Sequence, residues 1–369
     1  PLAVDTDEDG LSDPDELHVT GTNPSVQDSN NDGIMDSDED SDSDGLSDGD
    51  ELNIHDTNPN VADIDEDGLS DGDEINIHKT DPSKSDTDQD GLSDGAEVTV
   101  LDTNPLVRDT DGDGTIDSDE DADSDSLSDA DELYIHRTNP MVADTDQDGL
   151  SDGEEITVRR TNPLALDTDL DGLRDGFEVN VLSTDPLKPD TDGDGLTDND
   201  EVWIHKTNPL ETDTDQDGLS DGEELTLKTN ASLADTDKDG LSDPDEVNVI
   251  GTNPLVQDTN GNGVIDGNED LDLDGLSNAD ELYTHNTNPK AADTDQDGLS
   301  DADELNIIGT RPLFRDSDGD GTIDGDEDSD SDGLSDADEL YTHHTDPKVA
   351  DSDKDGLSDG DEIGINTDP

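Results

Sequence analysis

The sequence predicts a linear array of cation-stapled repeats, with short helices after irregular loops and no single hydrophobic core. Three observations predict it. A twelve-residue acidic pattern recurs along the whole chain. The chain carries 110 Asp plus Glu against 16 Lys plus Arg, a formal charge of −94. Only 25% of its residues are hydrophobic and 2% aromatic. Composition of this kind by itself describes a disordered chain. Fixed spacing of the acids changes that reading, because self-similarity at a period of about 20–50 residues marks an array whose units contact mainly their neighbours.

The pattern is clearest from Asp213 to Glu224, D-T-D-Q-D-G-L-S-D-G-E-E, with acids at positions 1, 3, 5, 9 and 12 and glycine at 6. This is the spacing of an EF-hand-type calcium loop. Ca²⁺ is a hard cation that takes roughly 6–8 oxygens at about 2.3–2.6 Å. Asp213, Asp215 and Asp217 turn three carboxylates to one centre if the backbone curls around it, and Gly218 permits that turn with φ > 0. The Leu219 carbonyl adds an oxygen, Asp221 another (often through water), and Glu224 a bidentate pair.

Eighteen such loops are present. Position 1 is Asp5, Asp28, Asp40, Asp63, Asp86, Asp109, Asp121, Asp144, Asp167, Asp190, Asp213, Asp235, Asp258, Asp270, Asp293, Asp316, Asp328 and Asp351. Position 3 is Asp7, Asn30, Asp42, Asp65, Asp88, Asp111, Asp123, Asp146, Asp169, Asp192, Asp215, Asp237, Asn260, Asp272, Asp295, Asp318, Asp330 and Asp353. Position 5 is Asp9, Asp32, Asp44, Asp67, Asp90, Asp113, Asp125, Asp148, Asp171, Asp194, Asp217, Asp239, Asn262, Asp274, Asp297, Asp320, Asp332 and Asp355. Position 9 is Asp13, Asp36, Asp48, Asp71, Asp94, Asp117, Asp129, Asp152, Asp175, Asp198, Asp221, Asp243, Asp266, Asn278, Asp301, Asp324, Asp336 and Asp359. Position 12 is Glu16, Glu39, Glu51, Glu74, Glu97, Glu120, Glu132, Glu155, Glu178, Glu201, Glu224, Glu246, Glu269, Glu281, Glu304, Glu327, Glu339 and Glu362. The pattern fails at one residue, Ser126 in place of glycine. These residues are the candidate ligands, with about one Ca²⁺ per loop and carboxylates shared where loops abut. One dication per loop would bring −94 to −58. Folding is therefore expected to be coupled to metal, which supplies the free energy that the missing core does not.

The seventeen steps between loop starts comprise twelve of 23 residues, one of 22 (Asp213 to Asp235) and four of 12. Each long step adds a connector such as L-H-V-T-G-T-N-P-S-V-Q, Leu17 to Gln27. An apolar pair follows the glutamate (Leu52/Ile54, Val179/Val181, Val247/Val249), then a T-N-P or T-D-P turn signal. About four apolar side chains per unit allow a small contact between neighbours. Ser or Asp at positions 8 and 9 caps a helix start, Pro14 and Pro244 suit its first turn, and Gly21, Gly251 and Gly309 suit its end. One- or two-turn helices follow from these signals, although the i, i+2 spacing of the apolar pair favours extended chain. The short steps are tandem loops without a connector, spanning 28–51, 109–132, 258–281 and 316–339. In each leading loop position 8 is apolar (Met35, Ile116, Ile265, Ile323), which is expected to turn the apolar contact to another face. The chain starts and stops in one phase of its repeat, which reads as an excerpt of a longer array.

The unit D-T-D-x-D-G-L-S-D-x-x-E-[LVI]-x-[VI]-x-x-T-N-P resembles the thrombospondin type 3 repeat in its cysteine-free bacterial form, over essentially the whole chain. That resemblance implies an extracellular or cell-surface location and calcium bound through the aspartates of each repeat. It also implies a role as spacer, adhesive stalk or fibre. Carried over to the first loop, the ligands are Asp5, Asp7, Asp9, Asp13 and Glu16. The animal repeats are stapled by disulfides; this chain has no cysteine and depends on calcium more completely.

The charge repels nucleic acid and anionic membrane surfaces and makes both poor partners, and no apolar run reaches the roughly 20 residues of a membrane span. Other copies of itself or other surface proteins remain as partners. So little apolar matter builds no enclosed cleft, so an enzyme is not expected. Eight histidines are dispersed without zinc spacing and read as surface residues. Trp203, Tyr134, Tyr283 and Tyr341 share the slot after the first apolar residue, where half-buried packing is expected and glycan stacking is the alternative. Arg159-Arg160 reads as a local ion-pairing site. The loops with Asn260/Asn262, Asn278 and Ser126 are expected to bind most weakly, through lost ligand charge or a strained turn. Three roles result: a calcium-rigidified rod, a calcium-dependent adhesin or self-assembling filament, and a calcium store or mineral-nucleating surface.

Overall fold

A computed structural model describes residues 4–369, which divide into two compact units, Pro1–Pro189 and Asp190–Pro369. Among the described residues there is no strand, and no helix is long and apolar enough to cross a membrane. Each unit repeats one motif, an acidic loop running into a helix of about two turns. At the loop starting at Asp190, Thr197 takes the cap position and accepts from Asp200 N at 3.2 Å. An α-turn over Asp198–Asp200 then widens into a π-helical turn over Glu201–His205. Lys206 closes it at φ +67, donating its N–H to Glu201 O at 2.7 Å. Gly21, Gly251 and Gly309 hold that same left-handed place in their units, as the sequence predicts.

The π turn has a sequence cause. A π turn is an α-helix with one residue inserted, and the 22-residue step removes that residue. There the helix Asp221–Leu227 is α throughout, and the helix Asp359–Ile365 at the C-terminal end is α as well. In 23-residue steps the threonine of T-N-P stands six residues after the glutamate; here Thr229 stands five after Glu224.

Burial follows the seventh loop residue. Leu11, Leu92, Leu241 and Leu299 are each 1% exposed, so in each compact unit the buried apolar matter is chiefly single leucines, one to a loop. The second member of the connector's apolar pair does not join it: Ile54 is 67% and Val181 63% exposed. Arg159 pairs with Glu154 at 3.0 Å, the local ion pair expected.

Consecutive loops joined by a 23-residue step meet through position 5. Asp67 Oδ2 accepts from Gly95 N at 2.9 Å, and Asp125 Oδ2 from Gly153 N at 2.6 Å. In the second unit, Asp194 Oδ2 accepts from Gly222 N at 3.0 Å. A side chain at Gly95 would run into the Asp67 carbonyl, so this contact selects a small residue.

Tandem pairs depart from this pattern. Met35, Ile116, Ile265 and Ile323 offer no capping hydroxyl, and the helix after each is a single 3₁₀ turn (Asp36–Asp38, Asp117–Asp119, Asp266–Asn268, Asp324–Asp326). The glutamate after it turns extended, with Glu39 at ψ 158 where Glu51 has ψ −54. The leading loops therefore project: Asp111, Asp113, Asp318 and Asp320 are exposed, and position 7 (Ile34, Val264) is exposed where most other loops bury leucine. Of the apolar residues at position 8, Met35 is exposed and the other three are half-buried.

Three of these insertions are strapped by tyrosine. Ser93 N donates to Tyr134 Oη at 2.9 Å, Ser242 N to Tyr283 Oη at 2.8 Å and Ser300 N to Tyr341 Oη at 2.8 Å. Tyr283 and Tyr341 donate in turn to Asp245 and Asp303 at 2.7 Å. At the first insertion Asn53 takes the slot and donates to Gly10 O at 3.2 Å.

Candidate metal centre

Each loop is curled by its own carboxylates. Asp213 accepts from Gln216 N at 2.7 Å and from Gly218 N at 3.0 Å. These bonds hold Gln216 at φ +63 and Gly218 at φ +109, two left-handed residues in three. Asp215 Oδ1 accepts from Asp217 N at 3.2 Å, and Asp217 Oδ1 from Leu219 N at 2.8 Å. One oxygen of each is thus fixed by the backbone, while Asp215 Oδ2 and Asp217 Oδ2 are buried with no donor. Thr229 Oγ1 bonds Glu224 Oε1 at 3.3 Å and leaves Glu224 Oε2 buried without a partner.

The same residual oxygens recur through the array. Among the described residues, fourteen position-12 glutamates, Glu16, Glu51, Glu74 and Glu97 among them, bury an Oε2 that meets no donor. A buried ionised carboxylate oxygen without a donor costs several kcal/mol, so these atoms are arranged for a cation. The carboxylates of Asp5, Asp7 and Asp9 come within 4.8 Å of one another, as do those of Asp40, Asp42 and Asp44, and of Asp63, Asp65 and Asp67. The donor set is all oxygen and anionic, which fits Ca²⁺ and does not fit a soft metal.

Position 9 interacts with its own loop's acids, as Asp221 does with Asp215 and Glu224, and with the preceding loop as well. Asp221 Oδ1 and Oδ2 are taken by Thr214 N at 2.9 Å and Thr214 Oγ1 at 2.7 Å, at position 2 of the same loop. Position 9 then faces the preceding loop. Asp9, Glu16 and Asp36 cluster, as do Asp44, Glu51 and Asp71, each group combining positions 5 and 12 of one loop with position 9 of the next. Asn278 uses its amide differently, donating to Asp266 O at 2.9 Å. Ser126 adopts the left-handed turn at φ +87, as its position requires.

Electrostatics follow from the crowding. Burial pushes Glu74 up to about 8, with Asp65 and Asp67 adding to it against the Thr80 hydroxyl. Burial likewise pushes Glu201 up to about 8, reinforced by Asp192 and Asp194. Asp65, Asp88 and Asp146 rise to about 6 for the same reason. A cation at the centre reverses each of these shifts.

The threonine of T-N-P is a site residue that its turn signal concealed. Thr57, Thr80, Thr138, Thr161 and Thr207 donate to Oε1 of Glu51, Glu74, Glu132, Glu155 and Glu201 at 3.0–3.2 Å. The recurrence of threonine six residues after every such glutamate was the available signal. The leading loops of the tandem pairs lack this support: Glu39, Glu120, Glu269 and Glu327 have no buried unpartnered oxygen. In two of them amides fill the centre, with Asn30 Nδ2 on Glu39 Oε1 at 2.6 Å, and Asn260 and Asn262 both on Glu269 Oε1.

The sequence profile of the bacterial TSP3 repeat matches residues 5–26, 40–62, 63–85, 86–107, 144–165, 167–189, 190–211, 213–230, 235–257, 270–292, 293–313, 328–350 and 351–369. The four leading loops and the Ser126 loop fall in the gaps. No curated protein sequence matches. Solved structures that match short stretches include a biofilm associated protein B domain (49% identity, 12% of this chain and 11% of that chain, TM-score 0.12) and a biofilm associated protein BSP domain (50% identity, 12% and 8%, TM-score 0.12). The chain thus spans about a tenth of the length of either. Regular acidic loops and the matched segments lead to one assignment: the chain belongs to the bacterial thrombospondin type 3 repeat family, a calcium-binding repeat.

Proposed function

We propose that this chain is a calcium-rigidified spacer of an extracellular or cell-surface protein, a non-catalytic rod or stalk whose stiffness depends on ion occupancy. One observation carries the reading: the buried glutamate Oε2 atoms, recurring from loop to loop, that meet no donor. Calcium supplies the positive charge that makes burying these carboxylates favourable. Asp5, Asp7, Asp9 and Glu16, and their counterparts in later loops, would hold an ion within the loop. Positions 5 and 12 with the next loop's position 9, as in Asp44, Glu51 and Asp71, would hold a second between loops. Because that second site takes ligands from two successive loops, occupancy would clamp one loop to the next. The 23-residue repeats would then take up two ions apiece and the leading loops fewer.

A second reading, a calcium-dependent adhesin or self-assembling filament, draws support from the exposed apolar residue in successive connectors (Ile54, Ile77, Ile135, Val158, Val181, Ile204). Small-angle scattering of the full chain across a calcium titration, at several protein concentrations, separates the readings. A spacer gains a defined, concentration-independent dimension as calcium is added. An adhesin or filament grows with concentration. Uptake of calcium with no gain of order would leave the store and overturn both.

A further inference from the structure

Asparagine is followed by glycine at two places in the chain, and both lie in one loop: Asn260-Gly261 and Asn262-Gly263, at positions 3 and 5 of Asp258–Glu269. This is a projecting leading loop, and both asparagines are exposed. We propose that Asn260 and Asn262 are sites of spontaneous deamidation, which converts an amide-filled loop into a full carboxylate calcium loop. The calcium half of this proposal rests on the reading above; the modification half does not.

In the reaction the glycine nitrogen attacks the asparagine Cγ. A C–N bond to the backbone forms, the C–N bond to the side-chain nitrogen breaks, and the glycine N–H proton ends on the departing ammonia. Water then opens the imide to aspartate or isoaspartate. The net change is water consumed and ammonia released, with no oxidant or reductant.

The loop supplies what the attack requires. The attacking nitrogens follow no bulky side chain, and nothing lies within 4 Å of a Cβ position at Gly261 or Gly263. Gly261 N donates to Asp258 Oδ1 at 2.7 Å and Gly263 N to Asp258 Oδ2 at 2.8 Å, so one carboxylate stands ready to accept either proton. Asn260 Oδ1 accepts from Asn262 N at 3.0 Å and Asn262 Oδ1 from Val264 N at 2.7 Å. Those donors stabilise the charge that develops on each carbonyl oxygen as its carbon is attacked. The two leaving nitrogens converge on Glu269 Oε1 at 2.6 and 2.7 Å.

The product begins as other loops of the chain do. D-T-N-G-N-G becomes D-T-D-G-D-G, the first six residues of the loop at Asp109, and over those six differs from the loop at Asp316 only in threonine for serine at position 2. The amide form sets two N–H donors against the Glu269 oxygen that a cation would take. The acid form removes both donors and adds two carboxylates, and ligand charge raises calcium affinity.

The test begins with peptide mapping by mass spectrometry of the calcium-loaded full chain, held warm at mildly alkaline pH. Conversion at Asn260 and Asn262 is expected about tenfold faster or more than at asparagines not followed by glycine, because glycine alone gives the attacking nitrogen free approach. Equal rates overturn the modification. Calcium titration then compares the Asn260→Asp/Asn262→Asp variant with Asn260→Gln/Asn262→Gln, and the acid variant is expected to gain a site about tenfold tighter. Equal uptake by the two variants, or an isoaspartate product alone, overturns the switch. A chain that bound no calcium at all would sink the reading above and leave the mapping result standing.

Discussion

Thr207→Val tests whether the T-N-P threonine organises the metal centre. Thr207 is buried, and its hydroxyl donates to Glu201 Oε1 at 3.2 Å, leaving Oε2 free to face a cation. Valine keeps the shape and deletes the donor. A hydrogen bond to a charged acceptor contributes about 1.5–3 kcal/mol, and loss of a group that orients a ligand costs about 10–100-fold in metal affinity. The two scales agree, since 1.4 kcal/mol is about tenfold in a binding constant. The readout is specific because Trp203 is the only tryptophan and stands two residues after Glu201. Its emission in a calcium titration follows one loop among eighteen. The Thr207→Val midpoint is expected to rise about tenfold or more. Thr207→Ser is expected to restore it, and Thr310→Val, at the distant Glu304 loop, to leave it in place. A Thr207→Val midpoint within about twofold of the parent chain's, well under the cost expected for an orienting partner, would refute the reasoning.

Three further expectations rest on other features. Without cations, Glu74 and Glu201 titrate in the fold near 8 against an ordinary value of 4.5. A group raised in this way stabilises the fold fully below the ordinary value and loses that contribution as pH rises through the folded one. In chelator, circular dichroism should therefore show helix absent at neutral pH and regained on acidification toward 4.5; a flat profile would contradict the burial argument. Tyr283→Phe removes bonds to Ser242 N and Asp245, and hydrogen exchange at the Ser242 amide should quicken about tenfold or more. Unchanged exchange would show that the strap holds nothing. Ser126→Gly relieves a left-handed serine at φ +87, worth on the order of 1 kcal/mol, and should lower the calcium concentration needed to order the loop at Asp121. A higher requirement would oppose it.

Much of this architecture was legible in the residues, for identifiable reasons. Acids at fixed spacing must converge if the backbone curls, so loop positions 1, 3, 5 and 12 could be read directly. Serine before the glutamate turn and glycine after it marked helices whose caps the fold retains at Ser12 and Gly21. What escaped was tertiary. Spacing places Asp221 in its own loop, where Thr214 holds both its oxygens, and no local pattern shows that it also faces Asp194 of the loop before. The π turn was hidden because its inserted residue has no type of its own; only comparison of the 23- and 22-residue steps exposes it. The connector's i, i+2 apolar pair suggested packing on both members, yet Ile54 and Val181 face solvent because the two-turn helix buries only one side. The tyrosine slot read as half-buried packing, and its hydroxyl's reach of 41 residues across a tandem pair is a contact no local pattern encodes.

Hydrogen exchange on the full chain at physiological ionic strength, with calcium and then with excess chelator, tests the central claim most directly. The account predicts that helix amides such as Glu74 and Glu201, protected with calcium, lose protection throughout the array once it is removed. Protection that survived the chelator at neutral pH would show that leucines and hydrogen bonds hold the fold without ions, and would contradict the account.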